Sequence, residues 1–300
     1  MPALVTPFRE DERIDCGAWQ MMIDTLIAGG VHGLFVAGSQ GEFYALDMEE
    51  RTVALRFCRQ AIAGRVPMYG NVGCITTRDT IALAHQAELM GVDVLVVVTP
   101  YYIQLSQEEL ADHYVEVCRA VGTPVLAYNF PHHGGVVLAA ETVARVAAAC
   151  GNLVGVKDSS GSLAQAVAYR DAVPDREFAV FTGGDHLFLA ALQEGCAGTV
   201  TAAANIAPKL FGELYRAFQE GRVQDAALLQ ALATELGTTL GLHTFPAVMK
   251  EALRMAGLPV GPCRKPVGRM PAPARQKLAA VLEKLRVAGY LAGTAERVTV

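Results

Sequence analysis

Lys157 closes the run LVGVKDSSG, and an amine held at the end of a long apolar stretch has a chemical use. Its stem continues a buried strand while its nitrogen projects beyond the strand end. Burial disfavours the ammonium, lowers the pKa and supplies the free amine that imine formation with a ketone requires. Gly155, two residues earlier on the same face, leaves space below it. The competing role is a lysine paired with a carboxylate at the strand end, and position alone does not choose between them. Tyr128 closes the preceding apolar run, in PVLAYNFP. Neighbouring strand ends would bring its phenol beside Lys157, where it can move protons during carbinolamine dehydration and C–C bond chemistry, unless it is simply a core tyrosine with its hydroxyl at the rim. In AGSQGEF, Gly38 and Gly41 bracket Ser39 and Gln40. Backbone N–H groups there can turn inward as a nest for a carboxylate near a helix N-terminus, although an ordinary turn has the same composition.

These residues sit at one end of a repeated unit of roughly thirty residues: an apolar run, a Gly/Ser/Thr/Pro-rich loop, then an amphipathic helix. The apolar runs are Ala3–Val5, Gly33–Ala37, Met68–Val72, Val94–Val98, Val125–Tyr128, Leu153–Lys157, Phe178–Phe181 and Thr199–Thr201. Continuous apolarity implies parallel strands buried on both faces, and these units can close into an α/β TIM (β/α)8 barrel with its site at the C-terminal strand ends. That rule also places Thr6, Glu42, Tyr101, Tyr102, Asn129, Asp158, Thr182 and Asp185 near the mouth. A doubly wound open sheet is the other arrangement, but no G-x-G-x-x-G follows the first run. The alternation stops after Asn205. From about Pro208 to about Gly289 the pattern is helical, with breaks at Gly221, across Gly237–Gly241 and in LPVGPCRKPVGRMP. The expected division is a catalytic barrel over 1–222 and a C-terminal helical appendage over 223–300.

The chain of 300 residues is 52% hydrophobic with a formal net charge of −5, ample for a large core and unlike the basic face of a nucleic-acid binder. No apolar run approaches the ~18 residues of a membrane span, and MPALVTPFRE does not read as a secretion signal. The seven cysteines are scattered, with no C-x-x-C pair and no histidines at metal-ligand spacing. They are expected to be reduced and buried in a cytoplasmic protein that needs no metal.

The segments ALVTPF, GSQGE, TPYY, YNFP and GVKDSSG, with GPCRKPV further on, stand in the order and spacing of the dihydrodipicolinate synthase / N-acetylneuraminate lyase family, which the chain resembles throughout its barrel. The resemblance implies a class I aldolase. Lys157 would form an imine with a pyruvate-type 2-oxo acid, and the imine would serve as an electron sink for making or breaking the adjacent bond. Tyr128 would be the acid/base. Ser39 matches the first threonine of the family's GTTGE motif and Tyr102 matches a tyrosine lent by a neighbouring subunit, the two completing a proton relay. The N–H groups of Ser39 and Gln40 would hold the carboxylate, with Gly41, His133, Gly183, Asp185 and Val200 as further substrate contacts. No cofactor beyond the covalent lysine imine is implied, and the expected assembly is a homotetramer, a dimer of dimers.

Three positions depart from the family's patterns. His133 stands where the synthases carry an arginine that grips a substrate carboxylate, so bidentate guanidinium recognition is lost. Gln40 replaces the second threonine of GTTGE. His186 follows Asp185 where sialic acid lyases carry glutamate. The expected reaction is therefore cleavage or dehydration of a 2-keto-3-deoxy sugar acid or a 4-hydroxy-2-oxo acid, cleavage giving pyruvate plus an aldehyde. His132, His133, Asp185, His186 and Gln40 would form the polar rim. The alternatives, in order, are 4-hydroxy-tetrahydrodipicolinate synthesis, N-acetylneuraminate cleavage, and a non-catalytic sugar-acid-binding relative. Retention of Lys157, Tyr128 and the Ser39 hydroxyl argues against the last. The sequence leaves aldolase and dehydratase undivided.

Overall fold

The computed structural model describes residues 1–293; residues 294–300, the end of the expected C-terminal appendage, lie outside the described residues. Parallel strands β1 (Leu34–Val36), β2 (Met68–Asn71), β3 (Val94–Val98), β4 (Val125–Asn129), β5 (Leu153–Asp158), β6 (Ala179–Thr182) and β7 (Gly198–Thr199) pair in sequential order. The N-terminal segment closes the ring. Ala3 N–H donates to Thr201 O at 2.9 Å on one side, and Leu4 N–H donates to Phe35 O at 2.8 Å on the other. The fold is a TIM barrel with helices outside its strands and a C-terminal helical region. The first run makes only isolated bridges instead of a full strand. Pro2 and Pro7 flank it, and neither can donate to a ladder.

Strand alternation sorts the side chains into two layers. Phe35, Val96, Val98, Leu126, Tyr128 and Val200 fill the barrel interior. Leu34, Val36, Leu95, Val97, Val125 and Ala127 face the surrounding helices. Several of those helices start on side-chain caps. Asp47 with Glu50 opens Met48–Ile62 and Ser106 with Glu109 opens Gln107–Ala120, each as a capping box.

The C-terminal region comprises helices Val223–Thr239, Ala247–Met255 and Ala272–Val287, and the hydrophobic core runs into them from the barrel without a break. The first of these ends at Thr239, within the expected Gly237–Gly241 break, and Gly237 itself is still helical. A Cβ there would lie 2.7 Å from Asp185 Cβ, so the glycine permits close approach to the loop after β6. The segment after Ala247–Met255 returns to the barrel mouth, where Phe8 N–H donates to Val260 O at 3.1 Å. Gly261 holds φ +66, and a Cβ on it would fall 1.7 Å from Phe8 O. Among the described residues no helix is long and apolar enough to cross a membrane, and no cluster of His, Cys, Asp and Glu is placed to hold a metal. All seven cysteines are unpaired; Cys16 is exposed, unlike the other six.

Candidate active site

Lys157 and Tyr128 stand side by side because β4 and β5 pair with those residues in register. The Lys157 side chain is buried, its Nζ 3.8 Å from the centroid of the Tyr128 ring and 4.3 Å from that of Phe35. No carboxylate of the described residues lies within ion-pair reach, so the alternative of a strand-end salt bridge is not what the fold builds. Burial alone drives the Lys157 pKa well below a lysine's ordinary value, toward the neutral amine. Asp158, the adjacent residue, is occupied elsewhere: it accepts from Asn129 Nδ2 at 2.7 Å and from Ser160 Oγ at 2.6 Å, clipping the β4 and β5 ends together. Gly155 has a reason beyond leaving space, since a Cβ on it would meet Ala179 O at 2.1 Å.

Ser39 Oγ lies 3.4 Å from Tyr128 Oη. Burial pushes the Tyr128 phenol up to about 12, against the lowering influence of the Ser39 and Ser159 hydroxyls. The phenol therefore stays protonated near neutral pH and can give up a proton only to a strongly basic oxygen. The turn that carries Ser39 is self-bonded through Gly41 N–H to Gly38 O (2.9 Å) and Glu42 N–H to Ser39 O (3.1 Å), and Thr6 Oγ1 holds Gly41 O at 2.7 Å. The N–H groups of Ser39 and Gln40 find no acceptor among the described residues. The Gln40 side chain is buried with both amide atoms unpartnered. These donors line a cavity of about 180 Å3 together with Tyr128, Lys157, Gly183 and Val200. An amine, a phenol and a set of unused donors around a small cavity can take a 2-oxo acid as an imine with its carboxylate held.

Other expected residues lie apart from that cavity. Gly41 acts through its carbonyl and its lack of a side chain, since a Cβ would stand 3.0 Å from Leu4 O. Asp185 turns away to Thr201 Oγ1 and packs against Gly237; this desolvation pushes its carboxyl up to about 7. His186 is exposed and lines neither that cavity nor its neighbour. His132 does reach the rim, where its Nε2 lies 3.0 Å from Ser160 O. His133 lies against Phe130 with ring centroids 4.5 Å apart, in an adjoining hollow. Tyr102, 91% exposed at φ +76, points away from its own cavity.

Several residues of the site carry no sequence signal of the role that they play in the fold. Phe35 lies under the lysine and meets Tyr128 edge-on at 6.0 Å; inward alternation along its strand was the available clue. Ser159 packs where Gly183 lacks a side chain, its Oγ 2.0 Å from a hypothetical Cβ. Glu42 forms a fully buried ion pair with Lys250 at 2.5 Å, tying the Ser39 turn to helix Ala247–Met255. A lysine followed by glutamate inside the apolar AVMKEALRM was the trace it left. Arg264 N–H also donates to Glu42 Oε2 at 3.1 Å. Phe245 comes to the rim from the same region.

The profile of the Dihydrodipicolinate synthetase family matches residues 1–285. The chain is 35% identical over 276 residues to 4-hydroxy-tetrahydrodipicolinate synthase 1 of Halalkalibacterium halodurans, covering 92% of this chain and 93% of that one. It is 38% identical over 270 residues to a DapA-like lyase of Halobacterium salinarum, covering 89% and 87%. Among solved structures, YagE of E. coli K12 in complex with pyruvate superposes with a TM-score of 0.92 at 32% identity, covering 95% and 97%. Dihydrodipicolinate synthase DapA-2 of Bacillus anthracis gives 0.90 at 31%, covering 94% and 96%. The activity that names the synthase relatives fits the first alternative expected from the sequence better than it fits sugar-acid cleavage; both are lyase chemistry on a 2-oxo acid. Whole-length likeness in sequence and in fold, converging on the lysine-bearing barrel, makes this chain a member of the dihydrodipicolinate synthetase family.

Proposed function

We propose that the protein is a class I lyase or synthase that binds pyruvate or a pyruvate-type 2-oxo acid as an imine on Lys157 and makes or breaks the adjacent C–C bond. The observation that carries this is the buried, unpaired Lys157 amine against the Tyr128 ring, with the N–H groups of Ser39 and Gln40 free to receive a carboxylate. The ketone oxygen leaves as water when the amine adds. Loss of a proton from the adjacent carbon gives an enamine, which attacks an aldehyde carbon. Tyr128 protonates the resulting oxygen, with Ser39 beside it as relay, and water releases the lysine. Gln40, Gly183 and Val200 border the bound acid, and no cofactor enters any step. Tyr102 acts by entering a neighbouring copy in a homotetramer, which suits its outward position. The division at 222/223 and a cytoplasmic location belong to the same proposal.

The names of the relatives favour the synthase direction, in which the pyruvate enamine joins an aldehyde. A second reading, cleavage or dehydration of a 2-keto-3-deoxy or 4-hydroxy-2-oxo acid, is favoured by His133 and by the absence of any arginine lining either cavity. Borohydride reduction with pyruvate, followed by peptide mass mapping, tests what both readings share. A stable adduct on Lys157, lost in Lys157→Ala, is expected; an unmodified chain under conditions that label a known family member would refute the imine.

A further inference from the structure

Beside the lysine cavity lies a second hollow of about 330 Å3, and the two share Ser39, Phe130 and Phe245 in their walls. A row of rings leads from one to the other. Tyr128 stacks on Phe130 at 5.6 Å with planes 13° apart, Phe130 contacts His133 at 4.5 Å, and His133 faces Phe245 at 6.2 Å. On another wall Phe43 and Tyr101 meet edge-on at 5.4 Å, next to Val98. No lysine, arginine or carboxylate lines this hollow, and its one basic group is His133. Burial and the neighbouring His132 push that imidazole below its ordinary value, so it is neutral at pH 7.

Such a wall discriminates among aldehydes. A carboxylate-bearing partner would give up hydration here without a cation to receive it. An aryl group would gain ring contacts on at least two sides and displace water from apolar surface. An apolar cavity of about 150 Å3 already holds a benzene molecule, and a Tyr102 entering from a neighbouring copy beside Ser39 would take part of the space and add a further ring to the wall.

We propose that this hollow binds the non-reacting end of the partner aldehyde and that this end is an aromatic or comparably apolar group. The reading rests on the pyruvate imine above and chooses among the partners left open there. In the joining direction the enamine carbon of the Lys157-bound pyruvate bonds to the carbonyl carbon of an aryl aldehyde. The aldehyde oxygen takes a proton, and water hydrolyses the imine to release a 4-aryl-4-hydroxy-2-oxo acid. The cleavage direction reverses each step.

The test uses the full-length protein with 4-hydroxy-2-oxo-4-phenylbutanoate and 4-hydroxy-2-oxoglutarate, pyruvate release being read through lactate dehydrogenase. Condensation of pyruvate with benzaldehyde and with aspartate semialdehyde is measured alongside, as is the borohydride adduct on Lys157. The aryl compound is expected to exceed the dicarboxylate by about tenfold or more in kcat/KM. His133→Arg should reverse that ratio while leaving the pyruvate adduct in place. Equal or better turnover of 4-hydroxy-2-oxoglutarate or aspartate semialdehyde, with Lys157 still labelled, would overturn the aromatic site and leave the imine standing. A chain that pyruvate does not label would overturn both.

Discussion

Lys250→Met removes one half of the most deeply buried ion pair among the described residues, and the structure bounds the consequence. The side chains of Lys250 and Glu42 are 2% and 0% exposed, so solvent can neither screen the pair nor rehydrate a survivor without opening the fold. The ammonium also donates to Pro262 O at 2.9 Å and lies 4.1 Å from the Phe8 ring centroid; methionine keeps the bulk and loses all three polar interactions. Glu42 would retain the Arg264 N–H and the Cys263 thiol, neither of which carries a charge to replace the ammonium. Breaking such a pair from one side costs about 3–5 kcal/mol, a large part of the ~5–15 kcal/mol that holds a typical domain folded. Removing both charges, in Glu42→Gln with Lys250→Met, leaves no stranded carboxylate and should recover most of the loss. Urea unfolding followed through the buried Trp19 measures the four proteins of this cycle. Because Glu42 ends the Ser39 turn, the single mutant should also form the pyruvate adduct more slowly than the double. A Lys250→Met protein within about 1 kcal/mol of the parent, or a double mutant whose loss is the sum of the singles, would show that water reaches the pair and that the reasoning from burial fails.

Two further outcomes follow from the site. Burial lowers the Lys157 pKa, so the rate of adduct formation should rise with pH through a value well below a lysine's ordinary 10.5 and then level off, while Tyr128, at about 12, stays protonated throughout; a limb that climbs to the ordinary lysine value would contradict a desolvated amine. Gln40→Met replaces a buried amide without partners by a side chain of similar length, so the empty protein should gain on the order of 1 kcal/mol in urea unfolding while pyruvate binding weakens by about tenfold. Unchanged pyruvate affinity would mean that the amide does not face the bound acid.

The barrel and its lysine were legible because both follow from local rules. Apolar runs that recur with helices between them must become buried parallel strands, and the side chain at the end of such a run must stand at the mouth. Where the pattern misled, a tertiary contact overrode it. The break expected across Gly237–Gly241 falls at Thr239, two residues past the glycine that packs on Asp185, and the Asp185 carboxylate accepts from Thr201 Oγ1. The first strand shrank to isolated bridges and the last to the two residues Gly198–Thr199 at the closure of the ring.

The sequence by itself determined the family, the barrel and the candidate chemistry, because residue types at fixed spacing carry them. Tertiary structure alone decided which groups share a cavity. Lys157 and Tyr128 meet through strand register, Glu42 meets Lys250 across more than two hundred residues of chain, and Phe130, His133 and Phe245 form one row from two distant segments. No periodicity encodes such encounters, since they depend on how the closed ring brings separate loops to the same end.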